Sequence, residues 1–270
     1  MTTTPEFEQN LRRVEERSAA FRTALAATVT GADLAVPLDA KVPSCPEWTL
    51  RDLAVHLGMV HRFWAATVAA GPADVPLPEE DFPAPEGLDA EELAAWSRAG
   101  TEELLSALRA AGPDGGCWTW WGASDTAQTA AAVGRHQVAE ALVHTYDAQL
   151  AVGRPEALPG AEALDAVDEF LHVGCGAAGP WRYTPATVAL RAAEGRGWLL
   201  ELTAEGSRAR PLPEDGATDR APDVPGPTVT ARGTASDLVL ALYGRIPMES
   251  LGIDGDGEVL GRLRVWQPSE

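Results

Sequence analysis

Over the first 155 or so residues apolar positions recur at helical spacing; beyond that they gather into short runs separated by Gly, Pro and Asp. From about 6 to 28, Leu11, Val14, Ala19, Phe21 and Leu25 repeat among arginines and glutamates, which predicts an amphipathic helix. "VPLDAKVPSCPEW" reads as a loop. Thr49 and Asp52 then form a capping-box signature, with Asp in place of the usual Glu, opening the helix "LRDLAVHLGMVHRFWAATVAA". A Pro-rich acidic loop ends it, and a third helix runs from Leu88 or Asp89 to the stop signal Gly112-Pro113. After "PDGGCWTWWGAS" a fourth helix runs to "AVGRP". Four long helices joined by loops predict a four-helix bundle.

The second pattern predicts a small mixed α/β domain. "PGAEALDAVDEFLHVG" reads as a helix, "TVALRA", "GWLLELTAEG" and "PTVTARG" as strands, "TASDLVLALYG" as a helix and "RLRVW" as a final strand. "RARPLPEDGATDRAPDVPGP" is polar and Pro-rich and reads as a loop. The expectation is therefore a two-domain chain, an all-α domain over 1–155 and an α/β domain over 156–270, with a linker near 152–162 and no internal repeat.

Composition narrows the partners. Among 270 residues, 45% are apolar, enough for a substantial core, and 40 acidic against 21 basic residues leave a net charge of −19. Such a surface repels phosphates and anionic lipid, so neither nucleic acid nor membrane is expected as a partner. No run of 18 apolar residues occurs, and the N-terminal stretch is charged where a signal peptide needs an apolar core. The three cysteines, Cys45, Cys117 and Cys175, are widely spaced with no CxxC pair, which fits a reducing cytoplasm. A monomer is the default expectation.

The histidines carry the candidate chemistry. Residues four apart on a helix are offset by roughly 40° and lie one turn above each other. His136, Glu140 and His144 thus form one stripe, with Asp147 close to it. A solvated ion pair is one reading of Glu140 and His144. Ala139, Leu142, Val143, Tyr146 and Leu150 leave little polar surface around them, however, and a buried carboxylate beside an imidazole needs a partner or a metal. On the second helix His56 shares a narrow face with Leu53, Leu57, Val60 and Trp64, while His61 lies near the edge of that face. His56, Glu140 and His144 make a His₂Glu set that suits zinc or another borderline divalent metal and leaves a coordination position open. Asp147 either orients a ligand or pairs with an arginine; His136 is open between a fourth ligand and a substrate contact; His172 carries no spacing signal.

"VPSCPEWTLRDLAVHLG" followed by "VAEALVHTYDA" resembles the maleylpyruvate isomerase family of mycothiol-dependent enzymes, part of a DinB-like group of four-helix metal proteins. "VTARGTASDLVLALYGRIPMESLGIDGDGEVLGRL" is similar to the C-terminal domain of the same family, which is related to sterol-carrier-like folds. The resemblance implies His56, Glu140 and His144 as metal ligands, the same three that helical geometry selects. It also implies Arg245, in "YGR", as a contact for substrate or thiol cofactor; the alternative is a surface ion pair. Where the family has an arginine after the second histidine, this chain has Thr145.

The chemistry so implied is activation of the thiol of mycothiol by zinc, for attack on a small electrophile. An isomerase would add the thiolate to an activated double bond, rotate and eliminate; an S-transferase would release the adduct. Arg245 would clamp a carboxylate, and Trp118, Trp120 and Trp121 would either wall the pocket or pack their loop onto the helices. Two other readings stay open: a metal-dependent hydrolase or cyclase that activates water, and a non-catalytic small-molecule-binding protein with a structural metal.

Overall fold

The computed structural model describes residues 3–30, 36–212 and 226–267. The chain divides into two compact units: Met1–Gly122 with Ala127–Glu156, and Ala157–Glu270 with Ala123–Thr126.

Four long helices build the first unit: α1 (Thr4–Thr30), α2 (Leu50–Ala70), α3 (Ala90–Ala111) and α4 (Ala130–Ala151). The closest pairings are α2 with α3 and α1 with α4, and α1 also packs on α3. Leu11, Val14, Phe21 and Leu25 of α1 are buried as the pattern requires, but Ser18 faces inward where Ala19 was expected. The helix starts follow their signals. Thr49 Oγ1 accepts from Asp52 N–H at 3.2 Å and Asp52 Oδ2 accepts from Thr49 N–H at 2.8 Å, a complete capping box. Asp89 and Glu92 do the same for α3, which stops at Gly112 with φ 68°. Almost every face of α4 is buried, as befits a helix with no polar side.

The segment read as a loop before α2 is instead a hairpin, β1 (Lys41–Val42) and β2 (Cys45–Thr49), in antiparallel register. Its strands are short, Pro43 sits in the turn between them and Pro46 within β2, so no alternation of apolar and polar positions marks them. Val42 drops into a core cluster with Phe21, Leu25, Leu50, Leu53 and Leu57.

The second unit opens with α5 (Gly160–Glu169), which runs through a π-helical turn at Phe170–Gly174 into α6 (Cys175–Ala177). A mixed five-stranded sheet follows, built of β3 (Ala186–Ala192), β4 (Gly197–Thr203), β5 (Gly206–Leu212), β6 (Val229–Gly233) and β7 (Gly252–Gly255), in the order β5-β4-β3-β6-β7. Only β3 and β6 are parallel neighbours. Helix α7 (Ala235–Leu242) packs on α5, and α8 (Glu258–Trp266) touches β3. Asp168 fastens α5 to β4 by accepting from Arg196 Nη2 at 2.7 Å and from Trp198 Nε1 at 2.9 Å.

Two expectations change here. "RLRVW" is the end of α8, not a strand: Val259, Leu260 and Leu263 are buried at helical spacing, and Val265 is exposed. The segment read as a polar loop over 208–227 begins as the strand β5, whose edge position tolerates its arginines and Pro211. Residues 213–225 of that segment lie outside the described residues.

Candidate metal centre

The capping box fixes where α2 begins and so sets His56 on its second turn, above the buried pair Leu53 and Leu57. Because β2 runs directly into the cap, Trp48 is held over the same turn, with its ring centroid 4.6 Å from that of His56 and 6.0 Å from that of His144. From α4, Glu140 and His144 project one turn apart, with Glu140 Oε2 3.5 Å from His144 Nε2. The His56 and His144 rings meet edge to face at 5.0 Å.

One ligand atom from each of His56, Glu140 and His144 lies within 4.8 Å of the others. Around a tetrahedral ion bound at ordinary zinc distances, ligand atoms sit about 3.4 Å apart. The Glu140–His144 pair already has that spacing, and the His56 ligand atom lies within 4.8 Å of both. His144 is buried and His56 Nε2 is sealed from solvent, while the Glu140 side chain keeps 22% of its exposure, so the cluster retains one more open side. Two imidazoles and a carboxylate are a donor set suited to a borderline divalent ion, and the residues fit such an ion.

The far side of His144 is equally ordered. Asp147 is wholly buried: its Oδ2 lies 2.9 Å from His144 Nδ1 and 3.9 Å from Cys45 Sγ, and its Oδ1 accepts from Ser44 Oγ–H at 2.6 Å.

The remaining candidates separate. His61, placed at the edge of the α2 face by its spacing, is completely buried. Its Nδ1 meets Thr101 Oγ1 at 3.2 Å, and that hydroxyl donates to Ser97 O and accepts from Arg22 Nη1. Burial pushes the His61 pKa down to about 3, against a weaker upward pull from Glu140, so it is a neutral structural imidazole. His136 leaves the stripe for an aromatic cluster, with Trp64, Trp120 and Trp121 centroids at 6.0, 5.6 and 5.3 Å. Trp121 is fully buried there, Trp118 stacks on Trp64, and Trp120 is exposed. In the second unit, Arg245 is buried, donates from Nη1 to Tyr243 O at 2.7 Å and lines an open groove of about 850 Å³ with Met248, Ile253, Arg264 and Val265. His172 lies within 3.9 Å of Asp168. The sequence places Trp48 and Ser44 in a loop and gives Cys45 no part in the site; the one available signal is that Trp48 directly precedes a helix cap.

A helical unit with a His–Glu–His cluster, joined to a unit built on a mixed five-stranded sheet, defines a class of two-domain proteins with a candidate metal site in the helical part. Residues 18–149 match the mycothiol maleylpyruvate isomerase N-terminal domain, and residues 162–262 match the MDMPI C-terminal domain. The chain belongs to this family, a family of enzymes. Its fold is that of two crystal structures, the mycothiol-dependent maleylpyruvate isomerase and a histidine-to-alanine mutant of it. They match at TM-scores of 0.59 and 0.60 and 13% identity, over 94% of this chain and 96% of theirs. No curated protein sequence is significantly similar to the chain.

Proposed function

We propose that the chain is a zinc-dependent, mycothiol-using isomerase or thiol S-transferase acting on a small electrophile. The observation that carries this reading is the convergence of His56, Glu140 and His144 from two helices to within 4.8 Å, on a chain whose family is named for mycothiol and maleylpyruvate. A divalent ion held by these three residues would supply positive charge that lowers the pKa of a thiol entering the open side. The residues of the chain do the rest. Asp147 holds His144 by its Nδ1–H, Trp48 covers both imidazoles, and the buried aliphatic floor of Leu53 and Leu57 limits water beneath them. We also assign Arg245, from the family resemblance, as the contact for a carboxylate of the substrate or a polar group of the thiol. Cys45, Cys117 and Cys175 form no disulfide, in keeping with a reducing, cytoplasmic setting.

Metal analysis of the purified protein should find about one divalent ion per chain, with His56→Ala and Glu140→Gln losing it. Turnover of a maleyl-type double bond, or of an alkylating electrophile, should then require both the ion and mycothiol. A protein without stoichiometric metal, or one equally active with no thiol, would overturn the proposal.

A further inference from the structure

We infer that Asp147 is a positioning residue of the metal centre, held in place by the hairpin that precedes α2, and that it fixes His144 with its Nε2 free to ligate. The inference rests on the metal reading above and concerns how that site is built.

Asp147 lies one turn beyond His144 on α4 and has no exposed surface. A carboxylate there is costly unless donors face it. The structure supplies them from two elements: His144 Nδ1–H at 2.9 Å from its own helix, and Ser44 Oγ–H at 2.6 Å from the turn between β1 and β2. Ser44 meets Oδ1, while Cys45 Sγ, from the next residue, lies 3.9 Å from Oδ2, the oxygen that faces His144.

The consequence is a chemical one. An ionised carboxylate can only accept, so the proton on the His144 ring belongs on Nδ1. That leaves the Nε2 lone pair on the side of Glu140, which is 3.5 Å away, and of His56. Without Asp147 the ring could equally carry its proton on Nε2 and present a donor where a ligand is needed. The carboxylate also makes the imidazole a better donor to a cation. Because Ser44 and Trp48 belong to one hairpin, the same short element clamps Asp147 and covers the two imidazoles. The hairpin is thus part of the site's scaffold, although none of its residues is among the three ligands.

The test measures zinc affinity by competition with a chromophoric chelator, and the absorption spectrum of the cobalt-loaded protein, for wild type, Asp147→Asn, Ser44→Ala and His144→Ala. Asp147→Asn keeps size but loses charge, and should weaken zinc roughly 10- to 100-fold and alter the cobalt spectrum. Ser44→Ala should shift affinity the same way by less. Circular dichroism is the check on folding, and should Asp147→Asn fail to fold, Ser44→Ala carries the test. Wild-type affinity and spectrum in a folded Asp147→Asn, or in Ser44→Ala where only that variant folds, would overturn the inference while leaving the metal reading intact. Absence of zinc binding by wild type, or full binding by His144→Ala, would instead overturn the metal reading itself.

Discussion

At the scale of single residues, chemistry is decided by what surrounds a side chain more than by its type. His56 and His61 are five positions apart on one helix, yet only His56 joins the Glu140–His144 pair, while His61 is enclosed with Thr101 and Arg22. The burial of His61 has a measurable sign. Its folded pKa is about 3, against 6.5 when free, so below pH 6.5 the unfolded chain takes up a proton that the folded chain refuses. Stability from this residue is complete above about pH 6.5 and declines as pH falls toward 3, by up to about 1.4 kcal/mol per pH unit. Besides burial, Glu140 pulls this value up, and Arg22, Arg62 and His56 push it further down. Urea denaturation of His61→Gln and wild type between pH 7 and 4 should show the wild type losing its advantage as the solution acidifies. Equal pH slopes would refute the assignment.

Among elements, the long helices follow from local rules and their packing from a few close approaches. The caps at Thr49 and Asp89 were readable because a capping box needs only residues three apart. The contact of α2 with α3 was not. A Cβ placed on Gly58 would overlap the edge of the Trp96 ring, and Arg62 lies over that ring at 4.0 Å while donating to Trp96 O and Gly58 O. Gly58→Ala should therefore cost about 1–3 kcal/mol by overpacking, despite the higher helix propensity of alanine. Thermal melts would check it; a neutral or stabilised variant would mean that Trp96 swings aside freely. The hairpin was missed for a physical reason. Short strands that contain proline have no periodicity to read, and their place is set by Val42 entering the core and by Ser44 meeting Asp147. "RLRVW" shows the converse: its alternation imitates a strand, but the burial of Val259, Leu260 and Leu263 obeys a helical period that starts before the pentapeptide.

For the whole molecule, the dominant quantity is a net charge of −19 over 270 residues. Self-repulsion of that size opposes the compact state, and salt screens it over roughly 10 Å at 0.1 M. Raising sodium chloride from about 20 to about 200 mM should raise Tm by a few degrees, in line with about 1 kcal/mol of relief for units of this size. A Tm that falls or stays constant would show that paired charges outweigh the repulsion. No helix among the described residues is long and apolar enough to cross a membrane.

The sequence alone determined the four long helices, the strands β3, β4 and β6, the acidic surface and the three candidate ligands. These depend on periodicity, capping and composition, all of which act within a few residues. The tertiary structure decided the rest. It brought His56 of α2 to the Glu140–His144 pair of α4, sent His136 into a tryptophan cluster, and brought Ser44 across 103 residues to Asp147. Such contacts join elements distant in sequence, and only the packing of the core fixes which of them meet.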